Sequence, residues 1–469
     1  MSFFIRRSNE KRGSKSKLKK PAGPAGKKDA GVRYARKRKA WDEEINSESE
    51  VDSDEATDTR KAELASSDEE AETAQEKKLR LTKQYLAQLE AGEADREEED
   101  GATRDVISHR LKQDQLELAG KLQREVADSL ESPDITQLRE LRGHKLPVTC
   151  VVISPDSKHI FSGSKDCSLI KWCVETGKKV KVIAGGKKGT EKTHVGHTSH
   201  ILCLAISTDG KFLASGDRNN VIHIWDPHSL DSISSLTGHR DAVSGLAFRK
   251  GSHQLFSASH DRSVKVWNLD EMAYVETLFG HQDCLTGVDS LSRDRAVTSG
   301  GRDRTVRVWK IIEESQLIFH GHVGCGSIDC VSLINESTFV TGADDNSVSL
   351  WSVNKKKPLT TVKQAHKAGE GQGHQENWIS AVVSLQNTDL VVSAGARDGS
   401  VRFWKCGAEF KSLTCIASLP VKGFVNSLQF SGDGRVLVLG VGQEHRLGRW
   451  WRDKTARNSL FIIPIKKKS

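Results

Sequence analysis

The chain has 469 residues, with 71 lysines and arginines against 63 aspartates and glutamates, and nine cysteines. Its net charge of +8 hides a segregation: residues 1–40 hold 15 basic and 2 acidic residues, 41–100 hold 7 and 22, and 101–142 hold 7 and 8, leaving 42 and 31 for 143–469. The cysteines are odd in number and scattered without a C-x-x-C pair, which excludes a disulfide framework or zinc finger and predicts reduced thiols of an intracellular protein. No stretch reaches the ~18 apolar residues of a membrane span, and the cationic N-terminus lacks the apolar centre of a signal peptide, so neither membrane insertion nor secretion is expected.

Residues 1–72 read as a disordered tail, first basic and then acidic. Its densest cationic cluster, Arg36, Lys37, Arg38 and Lys39, suits nuclear import or a nucleic-acid tail. In the acidic part, Ser47, Ser49, Ser66 and Ser67 each have an acid three residues on, the spacing of an acidophilic kinase target, which so acidic a segment also produces by chance. Residues 73–131 read as a helical segment. Thr73 to Glu76 forms a capping box ahead of Leu79, Leu86 and Leu89, and a second helix is expected from the spacing of Ile107, Leu111, Leu118, Leu122 and Val126. The apolar stripes are narrow, so these helices dock on the folded domain or another protein, or serve as a solvated linker.

From residue 135 the chain repeats. Gly-His pairs stand at 143–144, 196–197, 238–239, 280–281 and 321–322, with Ala365-His366 as a degenerate sixth. Tryptophans close successive units at 172, 225, 267, 309, 351, 404 and 450, spaced 53, 42, 42, 42, 53 and 46 residues apart. In the third unit, Val243–Phe248, Gln254–Ser259 and Val264–Trp267 read as three strands, with Asp261 in the last turn six residues before Trp267. Residues 135–465 therefore resemble the WD-repeat family, whose period is about 40–45 residues. The resemblance implies an all-β, seven-bladed propeller. It also implies a structural hydrogen-bonded tetrad in each blade: His239, Ser257 or Ser259, Asp261 and Trp267 in the third, with His281, Asp303 and Trp309 in the fourth. Asp166, Asp345 and Asp398 stand at the same Asp position, whereas Asn219 and Glu444 predict weaker tetrads in blades two and seven. Trp450 is expected to be the seventh indole. Either Ile135–Leu141 or Ser459–Ile465 can complete the last blade.

No phosphate-binding loop, H-E-x-x-H or G-x-S-x-G occurs, and the Ser-His-Asp sets belong to the tetrads, so no enzyme, cofactor or metal is expected. Function then lies on the surface. The residue before each tetrad Asp stands at a turn tip, giving Lys165, Arg218, His260, Arg302, Asp344 and Arg397, with Arg262 and Arg304 adjacent. Lys187, Lys188 and Lys192 lie in the insertion between the first two units, on the same face. Such a ring suits a phosphate backbone or an acidic protein. In the seventh unit Trp451 with Arg446, Arg449 and Arg452 forms either a stacking and phosphate-binding group or packing for the closing blade.

The segments ETAQEKKLRLTKQYLAQL (72–89), GHRDAVSGLAFRKGSHQLFSASHDRSVKVWN (238–268) and VGQEHRLGRWWR (441–452) resemble the family of U3 small nucleolar RNA-interacting WD-repeat proteins, the U3-specific subunits of the box C/D particle. The resemblance spans most of 72–465. It implies binding of U3 RNA at its box B/C element beside the kink-turn-binding protein, membership of the small-subunit processome, and a role in processing pre-ribosomal RNA to 18S RNA in the nucleolus. It carries over no contact to a single residue. The competing reading is a protein-only WD-repeat scaffold or substrate receptor in a nuclear complex.

Overall fold

The structure is a computed structural model that describes residues 80, 83, 110–116, 122–131, 133 and 137–469, apart from 188, 191–193, 323, 367–376, 450, 467 and 469. The expectations for Arg36–Lys39, the four serines, Lys188, Lys192 and Trp450, and for most of residues 73–109, therefore lie outside the described residues.

Seven four-stranded antiparallel sheets follow one another, each with its strands in spatial order a to d from the inside outwards. The innermost strands are Val148–Ile153, Ile201–Ile206, Val243–Phe248, Leu285–Ser290, Ile328–Asn335, Ile379–Ser384 and Phe424–Phe430. Most of their residues are buried, because each blade covers the next, whereas outer strands such as Lys179–Ile183 are largely exposed. This is the seven-bladed WD-repeat propeller the repeat predicts. Both closure candidates are used. Ser459–Pro464 is strand c of blade seven, and Arg139–Arg142 pairs outside it in register Arg139 to Ile462. The first and last strands of the propeller thus share one sheet, and their pairing ties the ring closed.

Each tetrad joins a buried indole to the loop ahead of its blade. In blade three Trp267 Nε1 donates to Ser257 Oγ (2.8 Å), which bonds His239 Nε2 (2.7 Å), and His239 Nδ1 meets Asp261 at 2.9 Å. The tetrad serine is thus Ser257; Ser259 donates to the Asp241 carbonyl. Burial pushes the Asp261 carboxyl up, but hydrogen bonds from His239, Ser263 and the Arg240 amide outweigh it and hold it well below the usual carboxylate range. Blade four uses Trp309, Thr298, His281 and Asp303, and the degenerate sixth unit builds the same set from Trp404, Ser393, His366 and Asp398.

Three tetrads differ from expectation. In blade five Trp351 Nε1 donates to Thr341 at 2.9 Å, but His322 turns its Nε2 to Asp345 at 3.2 Å and makes no bond to Thr341 among the described residues. In blade two Asp217, two residues before Asn219, takes the acid's place: His197 Nδ1 stands 3.2 Å from its carboxylate, while His197 Nε2 meets Ser215 at 2.5 Å. The expected weak tetrad is therefore complete. In blade seven the tetrad is absent. The pairing Leu437–Ile463 matches Leu255–Trp267 in blade three, and Leu439–Phe461 matches Ser257–Lys265. Val421, by its distance before strand a, stands where His239 does. Val421, Leu439 and Ile463 are all buried, so hydroxyl, imidazole and indole are replaced together by hydrocarbon and no polar group is orphaned. By register, the place of the seventh indole is held by Ile463.

The helical expectation holds over residues 110–116 and fails at Leu122 and Val126, which are not helical. Residues 122–131 run instead as a strap over the a–b turns of blades five and six. Leu122, Ala127 and Leu130 are buried, and Asn335 Nδ2 donates to the Leu122 carbonyl at 3.3 Å. The Asp389 carboxylate accepts from the amides of Val126 (2.7 Å) and Ala127 (3.0 Å). Arg124 pairs with Thr388 as an isolated bridge, and Glu131 N donates to the Lys466 carbonyl. Backbone partners on the propeller win over an isolated amphipathic helix because they satisfy the chain's polar groups while burying its apolar ones.

Candidate nucleic-acid interface

The b–c turns and the loops between blades gather at one end of the channel. Register there is set by a recurring backbone bond to the loop ahead of strand a: Lys165, Arg218, His260, Gly301, Asp344 and Ala396 donate to Pro147, His200, Ala242, Cys284, Ser327 and Trp378. Arg302 and Arg397 therefore stand one residue further out than the other tips. The reason is an extra residue in blades four and six, where 11 positions separate the tetrad hydroxyl from its tryptophan, against 10 in blades one to three and five. The uniform ring expected from counting back from tryptophan is in fact staggered.

The cations also differ in freedom. Lys165 is buried, with Nζ donating to the carbonyls of His445 (2.6 Å) and Gly448 (3.4 Å) and lying 3.8 Å from Glu444. It holds down the 443–452 loop and is spent on the fold, a correction to its place in the ring. Burial pushes its ammonium down, with Glu444 opposing. Arg446 is half-buried, lines the channel and donates to the Thr286 carbonyl in blade four at 3.3 Å. It too is held by the fold. Arg218, Arg302, Arg304, Arg397 and Arg449 are exposed, as are Arg262, which donates to the Gln282 carbonyl (3.3 Å), and Lys187 in the insertion loop. Arg262 and Arg304 adopt φ of 68° and 58°, which turns each tip sharply. Arg449 Nε lies 3.0 Å from Glu444 while its side chain is 72% exposed, so it can still reach a ligand.

Between these groups lies a cleft of about 370 Å³, walled by Lys165, His200, Arg218, His260, Arg446 and Arg449 among others. Burial, Arg446 and Arg218 hold His260 below its ordinary value against the opposing carboxylate of Asp241, so it adds little charge near neutrality. Trp451 stands apart from the cleft. Its ring lies 5.1 Å from that of Trp378, and the Arg397 guanidinium stands over it at 4.3 Å. Trp451 is thus packed against Trp378 and Arg397 and remains partly exposed. Trp378, directly before strand a of blade six, was not singled out in the sequence; its aromatic side chain at a loop end was the one available signal.

The model of the WD domain, G-beta repeat, matches residues 135–173, 189–226, 230–268, 272–310, 313–352 and 366–405. "U3 small nucleolar RNA-interacting protein 2" of Mus musculus is 59% identical over 397 residues, covering 84% of this chain and 83% of the relative. The chain belongs to the U3 small nucleolar RNA-interacting family of WD-repeat proteins. The Homo sapiens relative of the same name is 58% identical over the same shares. A solved structure titled "Structure of U3-55K" aligns with a TM-score of 0.67 at 57% identity, covering 71% of this chain and 99% of that one. None of the six matched segments includes blade seven's strands a to c, where the tetrad is hydrocarbon.

Proposed function

We propose that the chain is a non-catalytic RNA-binding subunit of the U3 small nucleolar ribonucleoprotein, acting in the small-subunit processome during processing of pre-ribosomal RNA to 18S RNA. In this reading it binds the box B/C region of U3 RNA beside the kink-turn-binding protein and other box C/D and processome proteins, in the nucleolus. Membership of the U3-interacting family over 84% of the chain carries the reading. The exposed arginines at the channel mouth support it, since a phosphate backbone gains affinity from each cation that displaces its counterions. The Ser-His-Asp sets favour binding over catalysis, because each tetrad hydroxyl already bonds a buried indole. Arg36 to Lys39 serve as the nuclear address, and Ser47, Ser49, Ser66 and Ser67 as kinase targets.

The test is the salt dependence of U3 RNA binding. Arg218→Gln, Arg302→Gln and Arg304→Gln together should flatten the slope of log affinity against log salt by nearly one unit per lost phosphate contact, and the triple Glu variant should bind far more weakly. The control set, Lys355→Glu, Lys356→Glu and Lys357→Glu, lies at the exposed start of strand d, next to the c–d turn at the other end of blade five, and should weaken binding much less. Equal losses in the two Glu sets would place the RNA elsewhere.

A further inference from the structure

Beside the hydrocarbon that replaces the seventh tetrad lies a groove, which Val421 lines. In blade three the ring of Trp267 reaches the loop ahead of the blade, 3.3 Å from where a Cβ on Gly238 would stand. In blade seven the matching positions are Ile463 and Pro420, and an isoleucine is too short to bridge them. There a groove of about 760 Å³ opens between blades six and seven, with Leu138, Pro420, Val421, Phe424 and Phe461 in its walls. Arg397, Lys422 and Arg452 stand along it, all exposed, and Trp451 closes one end. Of the two acids beside it, Asp398 is bound to His366 and Ser400 in the sixth tetrad, and Asp453 is bound to Thr455.

We propose that this groove docks an extended acidic segment of a partner protein, with one aliphatic or aromatic side chain in the floor and flanking carboxylates against Arg397, Lys422 and Arg452. The volume lies in the range of ligand pockets and accommodates one large side chain with its neighbours. Charge complementarity selects acidic flanks. A nucleobase fits less well, because the walls named above are carbon side chains and the cations that stand along them, Arg397, Lys422 and Arg452, have no acceptor to offer its amino groups. The inference does not rest on the RNA reading, since Lys422 and Leu138 lie outside the channel-mouth cleft.

The experiment uses the full-length chain and two displayed libraries of nine-residue peptides with a central Leu, Ile or Phe, one flanked by Asp and Glu, the other by Lys and Arg. The acid-flanked library should be enriched. Labelled winners should bind at least tenfold more weakly to Lys422→Glu, a surface change that leaves folding intact, and not at all to Leu138→Trp, which fills the groove. U3 RNA affinity of Leu138→Trp should stay at the parent value, so failure here is distinct from failure of the RNA reading. Enrichment of the basic-flanked library, or no loss of binding in Lys422→Glu, overturns the proposal. So does loss of oligoadenylate binding in Leu138→Trp, which would make the occupant RNA, or conversion of a dimer to a monomer, which would make it a second copy.

Discussion

Lys165 and Glu444 form a buried ion pair, Nζ to Oε2 3.8 Å, that joins the b–c turn of blade one to the loop of blade seven. The same ammonium donates to two carbonyls of that loop, at His445 and Gly448. Lys165→Met should remove all three contacts. The expected cost is on the order of 2 kcal/mol, moderated because Arg449 and Arg452 also stand near Glu444. Glu444→Gln in the same background should cost less than it does alone. Denaturant titration of the four proteins of this double-mutant cycle measures the coupling, and strictly additive losses would show that the pair contributes nothing.

The acid of the second tetrad is open to direct test. Asp217→Ala should destabilise the propeller by about 1–3 kcal/mol by leaving His197 Nδ1 and the amides of Asn219 and Val221 without their acceptor. Asn219→Ala, at an exposed side chain, should fall within about 0.5 kcal/mol of the parent. Reversal of this order in thermal melts would return the tetrad position to Asn219.

Two carboxyls on the innermost strands of blades four and five give the protein a pH dependence of defined sign. Burial raises Asp289 and Asp329 from 3.8 to about 6, against hydrogen bonds from the Leu333 amide and Ser327 respectively. Between these values the folded state binds more protons than the unfolded one, so this contribution to stability falls as pH rises from about 4 to about 6. Asp329→Asn keeps an acceptor for Ser327 and removes the titration. It should raise the melting temperature at pH 7 and leave a smaller difference between pH 5 and pH 7 than the parent shows. An unchanged difference would mean that the carboxyl titrates normally.

Truncation separates the strap from the chain before it. Removing residues 1–121 should lower the melting temperature of the propeller less than removing 1–131. Removing 1–131 uncovers the surface beneath Leu122, Ala127 and Leu130 and strips Asp389 of two amide donors, which should lower melting by several degrees. Both truncated chains keep Arg139–Arg142, so the closing sheet is the same in each. Equal melting temperatures would show that the strap adds no stability.

The period of 42 residues, the seven units and the tetrads of blades three and four were legible in the sequence, because each rests on residue types at fixed local spacing. Trp267, Ser257 and His239 repeat as Trp309, Thr298 and His281 for that reason. Tertiary structure decided what depends on distant partners. Strand pairing set the register that moved Arg302 and Arg397 outward and gave Ile463 the place expected for Trp450, while Asp217, at the register position of Ser259, reaches His197 in place of Asn219. The freedom of a cation was likewise invisible: Lys165 and Arg218 look alike in sequence, yet the acceptors that bury Lys165 lie about 280 positions away. The apolar spacing of Leu118, Leu122 and Val126 read as a helix, but Asn335 and Asp389 offered the backbone of 122–131 better partners. Local spacing fixes which side chains recur. Only the closed ring determines which of them meet, because hydrogen bonds and burial are settled between segments that the chain itself keeps far apart.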